Sequence, residues 1–367
     1  LFCNHDVFSL RKRVMEYFIS LLSVFCLTCV AIKVLNPIAQ RVGLVDLPNE
    51  RKLHVGAIPL IGGVSIYCSV LLVSSIVIPQ SQTFNLYLIS AALILFLGVL
   101  DDRYDLSVRV RITAQVITAS ILIFGAGLHL TTFGHILHFF EFKLGYAGIF
   151  VTTIAVIGAI NAFNMVDGID GLAGMLSLVT FSSLAFLFYW AGNSWFLLPL
   201  LFIGAIVGYL LFNLRWPFPS LDKVFMGDAG SMLIGLTVVW LLVLGTQADS
   251  NHLHQGQVFS PVTALYLIAI PLMDMVAIMY RRIKKGMSPF KPDRDHLHHI
   301  FERAGYNRKQ TLIRISLASL LFAAIGIGAD IAQIPESIMF VSFLAIFAAY
   351  NWALANVWQI LTWVRQD

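Results

Sequence analysis

Four short runs carry most of the side chains in this sequence that could do chemistry. They are GVLDDRYD with Asp101, Asp102 and Asp105, and NAFNMVDGIDG with Asn161, Asn164, Asp167 and Asp170. The others are KVFMGDAGS with Lys223, Asp228 and Ser231, and PDRDHLHH with Asp293, Arg294, Asp295, His296, His298 and His299. Carboxylates brought to one place repel one another and call for a cation. Oxygen ligands suit Mg²⁺ or Mn²⁺, and asparagine can add a neutral oxygen. Such an ion would in turn draw phosphate groups. Glycines at 168, 171, 227 and 230 would let backbone approach a ligand closely. Gly227 and Gly230 flank Asp228 near the start of an apolar run, and a helix N-terminus there favours an anion once an ion offsets Asp228. Arg281, Arg282, Lys284 and Lys285 add positive charge at the same depth. Most of that cluster reads as a membrane-surface anchor, with Arg282 the expected phosphate contact. The HxHH run could bind a transition metal, but no Cys partner or HExxH pattern supports zinc. Its imidazoles could also donate to a diphosphate, move protons or be structural.

The elements that must position these groups follow from composition. Of 367 residues, 58% are hydrophobic and 12% charged, and mean hydropathy is +0.82. Soluble domains run near 45–50% apolar and about 25% charged. There is too little polar surface here for a soluble globular enzyme. Disorder, collagen and coiled coil are excluded by the same figures. The net charge is +4, and the basic residues form no long stripe, so nucleic acid is not an expected partner. The Gly-rich phosphate loops GxxxxGK[ST] and GxGxxG do not occur.

A membrane-spanning helix needs about 20 apolar residues. Eleven stretches qualify, near 16–35, 59–78, 84–100, 112–128, 146–163, 172–190, 196–214, 231–247, 260–280, 312–333 and 338–357. The expected fold is an all-α, polytopic integral membrane protein. Seventeen Lys and Arg residues fall in loops after odd-numbered spans, against Lys143 alone after even-numbered ones. Basic loops mark the cytoplasmic side. That places the C-terminus in the cytoplasm and the N-terminus in the periplasm. Arg11, Lys12 and Arg13 oppose this orientation. Residues 1–14 therefore read as an upstream extension, with Met15 the start, or as a short periplasmic tail. Residues 15–367 form one transmembrane domain, with cytoplasmic loops near 36–58, 101–111, 164–171, 215–230 and 281–311.

All four polar runs follow odd-numbered spans and so share the cytoplasmic face. Acids in the outer loops are scattered: Glu141, Asp249 and Glu336. A carrier with buried acids is the main rival class, but its acids belong near the bilayer midplane, reachable from both sides. Asp274 lies inside the ninth span and reads as a helix–helix hydrogen bond, outside the site. Cys26 and Cys29 form a CxxC inside an apolar run and read as two small buried hydrophobes rather than a redox pair.

With PLMDMVAIMYRR between the last two, the four motifs resemble those of the polyprenyl-phosphate N-acetylhexosamine-1-phosphate transferases. The resemblance runs from about residue 35 to 310, in the family's order and spacing. His296-Leu297-His298-His299 is similar to the hexosamine branch rather than to the pentapeptide branch, which carries three adjacent histidines. The first loop, GLVDLPNERKLHVGAIPLIGGVS, fits the same branch. The resemblance implies that undecaprenyl phosphate attacks the β-phosphate of UDP-N-acetylglucosamine with Mg²⁺ or Mn²⁺. The products would be undecaprenyl-diphosphate-N-acetylglucosamine and UMP, at the first step of lipid-linked surface glycan synthesis (O-antigen or enterobacterial common antigen). It further implies a bacterial inner membrane, with the site facing the cytoplasm. Asp228 is then the first metal ligand and Asn164 the second. Asp101, Asp102 and Asp228 are the catalytic carboxylates, the first two acting in acceptor-phosphate deprotonation or metal handling. Asn161, Asp167, Asp170, Arg282, His296, His298 and His299 are the expected substrate contacts. UDP-N-acetylgalactosamine and UDP-N-acetylmuramoyl-pentapeptide stay open as donors. A double displacement through an aspartyl phosphate stays open too, and so does the oligomeric state, monomer or homodimer.

Overall fold

In lipid the backbone must satisfy its own hydrogen bonds, so each apolar run folds as a helix. The computed structural model describes residues 2–48, 56–247, 256–289 and 296–356, with side chains from residue 14 onward. Asp293, Arg294 and Asp295 of the fourth motif lie outside the described residues, as do the side chains of Arg11, Lys12 and Arg13.

The chain opens with α1 (Phe2–Val42). A two-residue antiparallel ladder follows, β1 (Val45–Asp46) with β2 (Ile58–Pro59), pairing Val45 with Pro59 and Asp46 with Ile58. Next come α2 (Gly62–Val77), α3 (Gln82–Tyr104), α4 (Val108–Ser120) and α5 (Ala147–Val166). Then follow α6 (Leu172–Trp190), α7 (Leu197–Leu214) and α8 (Gly227–Thr246). The last five are α9 (Pro261–Leu267), α10 (Ala269–Lys284), α11 (Leu297–Arg303), α12 (Arg308–Ile331) and α13 (Glu336–Ala355).

All eleven expected stretches are helical, but not all are full spans. Among the described residues nine helical stretches are long and apolar enough to cross a membrane, α4 counting together with the wider helical turn Ile121–Gly125 that continues it, and α2 has only 16 residues. The expected ninth span is two helices, α9 and α10, meeting at 81°. Pro271 explains the break: it lacks the N–H that would bond the Leu267 carbonyl. Thr180 Oγ1 of α6 donates to that carbonyl instead, at 3.1 Å. Two other helices run further than their apolar cores. α3 continues through Asp101 and Asp102, and α8 begins at Gly227 rather than near 231.

Helix α8 is the hub. It is apolar on every side, as a fully enclosed helix must be, and every residue of its apolar stretch is buried. Small residues let its neighbours come to backbone contact. Gly98 of α3 lies against Ala229, Gly63 of α2 against Gly230, and Gly235 of α8 against Ala159 and Ile160 of α5. Gly230 thus serves packing rather than ligand approach. Tyr87 on α3 adds a hydroxyl bond to Thr237 at 3.0 Å. A methyl group at position 98 would collide with the Ala229 backbone. Gly98→Ala is therefore expected to cost about 1–3 kcal/mol through overpacking. A lowered thermal midpoint in detergent, with lost activity, checks this; an unchanged midpoint contradicts it.

The peripheral helices turn apolar side chains outward, among them Phe18 on α1, Leu321 on α12 and Val341 on α13. Cys26 is exposed on α1 and Cys29 half-buried, so the pair does not form the buried contact expected of it. The lipid-facing side of α1 is apolar, and a thiol is compatible with it.

Candidate active site

The loops after the odd-numbered spans meet at one end of the bundle around a cavity of about 910 Å³. Its lining includes Asp46 from the first loop, Asp101 and Asp102 from α3, and Asn164, Asp167 and Asp170 from the end of α5 and the turn after it. Lys223 and Asp228 come from the loop before α8 and its first turn, and His299, Glu302 and Arg308 from α11 and α12. Backbone ladders hold the parts together. Gly62 and Gly63 donate N–H groups to the carbonyls of Phe225 and Met226, both at 2.9 Å, and Phe225 returns one to Pro59 at 2.9 Å. Asn213 Nδ2 donates to the Val224 carbonyl at 2.9 Å and fixes the same loop from α7.

The first turn of α8 is where three motifs converge. Asp102 accepts hydrogen bonds from the backbone N–H of Asp228, at 2.8 Å, and of Ala229, at 3.2 Å. It therefore caps α8 from another helix. The N-terminus expected to await a ligand anion is taken by this carboxylate. Gly227 has a left-handed φ of 71°, and a Cβ there would fall on the Asp102 carboxylate. Asn164 Nδ2 donates to Asp228 Oδ1 at 2.7 Å and to Ser231 Oγ at 3.1 Å.

The remaining acids divide by partner. Asp101 is nearly buried; it pairs with Arg111 Nη1 at 3.0 Å and accepts from the Leu106 N–H at 2.8 Å. Asp170 pairs with Lys223 Nζ at 2.6 Å. Among the described residues no Lys or Arg stands within ion-pair distance of Asp102, Asp167 or Asp228. Burial, with the charges of Asp228 and Asp170, pushes the Asp167 carboxyl up to about 7. Three carboxylates thus line a common cavity beside an asparagine amide, with no Lys or Arg of the described residues in direct ion-pair contact.

That donor set fits a hard divalent ion. Among the described residues no three acidic, thiol or imidazole groups form a closed ligand set. Mg²⁺ does not need one, since it is usually held by one or two carboxylates plus substrate phosphate and water.

Seven of the expected site residues line the cavity: Asp101, Asp102, Asn164, Asp167, Asp170, Asp228 and His299. Four stand behind its wall. Asn161 Nδ2 donates to Gln115 Oε1 at 2.9 Å and to the Ile157 carbonyl at 2.8 Å, tying α5 to α4. Arg282 is buried and donates to the Pro289 carbonyl at 2.6 Å. His296 is buried and faces Asp274 Oδ2 at 3.1 Å. His298 is buried against Gly168, and its burial and the neighbouring His299 and His296 hold its ring down to about 3. Gly168 thus makes room for an imidazole rather than for a ligand. Sequence reasoning gave Arg111, Asn213 and Tyr209 no place in the site. Arg111 sits ten residues past Asp101, in a run read only as topology-setting charge.

The helices and the cavity define a multi-pass membrane protein whose loops close an acidic pocket at one end of the bundle. Residues 84–246 match the family model described as glycosyl transferase family 4. Over 348 residues the chain is 44% identical to the undecaprenyl-phosphate alpha-N-acetylglucosaminyl 1-phosphate transferase of Escherichia coli O157:H7, covering 94% of this chain and 93% of the relative. The protein of the same name from Pasteurella multocida strain Pm70 is 44% identical over 357 residues, 95% and 96% of the two chains. The chain belongs to glycosyl transferase family 4, a membrane-embedded family of transferases.

Proposed function

We propose that this enzyme transfers N-acetylglucosamine-1-phosphate from UDP-N-acetylglucosamine to undecaprenyl phosphate. The products are undecaprenyl-diphosphate-N-acetylglucosamine and UMP. The observation that carries the reading is the cavity: three carboxylates with no ion-paired Lys or Arg among the described residues, at the end of a lipid-embedded bundle. A soluble, multiply charged donor and a lipid-borne phosphate can meet only at such a surface.

The acceptor phosphate attacks the sugar-bearing phosphorus of the donor. A phosphorus–oxygen bond forms there as the bond to the UMP phosphate breaks. A phosphate monoester has a second pKa of about 6, so the acceptor needs no strong base. Catalysis is then mostly positioning and charge neutralisation. Asp228, with the Asn164 amide beside it, is the group to hold Mg²⁺ or Mn²⁺. The ion's chemistry would be to offset charge on the diphosphate. Asp102 fixes the Asp228 backbone, and Asp101 with Arg111 secures the turn after α3. Asp167, Asp170 and Lys223 line the cavity together with His299, and on this reading they are the groups that meet the donor.

The basic loops orient this end of the bundle toward the cytoplasm of a bacterial inner membrane. The N-terminus is then periplasmic and the C-terminus cytoplasmic. Donor choice is tested by incubating membranes containing the enzyme with undecaprenyl phosphate and each labelled UDP-sugar in turn. UDP-N-acetylglucosamine is expected to give the lipid-linked product fastest. Preference for UDP-N-acetylgalactosamine or UDP-N-acetylmuramoyl-pentapeptide would overturn the donor assignment. Transport of the sugar without lipid product would overturn the reaction itself.

A further inference from the structure

Asp274 lies in the interior of α10 and is 2% exposed. An ionised carboxylate at that depth is costly unless paired. Its partners come from two other parts of the chain. Oδ2 faces His296 Nδ1 at 3.1 Å, while Oδ1 accepts from the Leu297 N–H at 3.1 Å and from the Tyr350 hydroxyl of α13 at 3.1 Å. The helix–helix bond expected of Asp274 is present, and the same carboxylate also grips the start of the histidine run. With Asp274 ionised, His296 Nδ1 carries the hydrogen and donates it.

The contact extends to the cavity through neighbouring rings, the first pair stacked and the second tilted at 48°. His296 lies 5.7 Å from His298, centroid to centroid, at an interplanar angle of 19°, and His298 lies 4.1 Å from His299. Neither ring nitrogen of His298 has a hydrogen-bond partner among the described residues, so packing alone places it. His298 sits against Gly168, in the turn that carries Asp167 and Asp170, and His299 lines the cavity.

We propose that Asp274 is a positioning residue for the transfer: its carboxylate fixes His296 and, through the packed imidazoles, sets where His299 and the Asp167–Asp170 turn stand. The inference rests on the phosphosugar-transfer reading above. It concerns the donor side of the cavity, so the loss on breaking it falls on the donor and spares the lipid acceptor. Carboxylates behind metal-ligating histidines fix ring orientation, and their loss costs about 10–100-fold; Asp274 holds the His296 ring by the same kind of contact, one step further from the cavity.

The test uses full-length enzyme in detergent, with wild type alongside. Asp274→Asn keeps the shape but loses the charge, and Asn can present only one oxygen acceptor. It is expected to raise the KM for UDP-N-acetylglucosamine by about tenfold or more, with the KM for undecaprenyl phosphate unchanged. His296→Ala is expected to do the same, and the double variant to be no worse than either single one, because coupled residues are not additive. Tyr350→Phe removes a bond to the other oxygen and is expected to lower thermal stability while leaving donor KM alone. A wild-type donor KM in Asp274→Asn, or fully additive losses in the double variant, would overturn the proposal. If Asp274→Asn does not fold, the other two single variants decide. A donor-KM shift in His296→Ala alone supports the proposal; a shift in both or in neither overturns it. Absence of any lipid product from wild type is a different failure, that of the transfer reading.

Discussion

Asp228→Asn is expected to leave the fold intact and to lower turnover by about 10³-fold, the scale of losing one well-placed electrostatic group. The substitution is nearly isosteric. An Asn at this position can still accept the Asn164 Nδ2 hydrogen through its own carbonyl oxygen. Its backbone N–H stays capped by Asp102. What disappears is one negative charge at the point where α3, α5 and α8 converge. On the proposed reaction that charge is also the anchor for a divalent ion beside the diphosphate. Initial rates of lipid-product formation, read against the thermal midpoint of the same preparation, separate the two effects. A wild-type rate would remove Asp228 from the mechanism. A collapsed midpoint would make it a structural residue.

Asp102→Ala is expected to cost on both counts. The carboxylate satisfies two backbone N–H groups at the start of α8, and loss of such a cap typically costs about 0.5–2 kcal/mol. The first turn of α8 also carries Asp228, so a frayed turn displaces that carboxylate. A shift of about 1 Å in a reacting group can cost about 10²-fold, and a loss of that size is expected here. Asp102→Asn is the informative companion. It keeps an acceptor oxygen for one N–H but turns an NH₂ toward the other. Its stability should fall between wild type and Asp102→Ala, with activity close to the Ala variant. Full activity in Asp102→Ala, at whatever stability, would show that the cap does not position Asp228.

The membrane architecture was legible because lipid permits few solutions: every apolar run of sufficient length became a helix. The shared end of the four motifs was legible from loop parity, which needs only the order of spans and charges. Helix ends were less so. α3 continues through Asp101 and Asp102 because tertiary partners satisfy those carboxylates, and hydropathy does not register partners. α8 starts early because Asp102, more than a hundred residues upstream, supplies its cap. The bend between α9 and α10 had a local sign in Pro271, but the Thr180 hydroxyl that absorbs the freed carbonyl lies on α6. Gly230 marked a close approach without naming what approached, and Gly63, Gly98 and Gly235 gave no sign in the sequence of the backbones they admit. Within the candidate site, residue type identified the acids but not their division of labour. Asp101 and Asp170 carry basic partners, while Asp102, Asp167 and Asp228 have none among the described residues. Asp274 read as a packing bond because its partners at 296, 297 and 350 are distant in sequence.

In the proposed reaction a sugar-phosphate, not a sugar, moves to the lipid phosphate with help from a divalent ion. The direct measurement is the nucleotide released when purified enzyme, undecaprenyl phosphate and UDP-N-acetylglucosamine are mixed with Mg²⁺ or with EDTA. UMP is expected, one for each lipid-diphosphate sugar formed, with no turnover under EDTA until Mg²⁺ or Mn²⁺ is restored. Release of UDP, or UMP formation that continues unchanged in chelator, would contradict it.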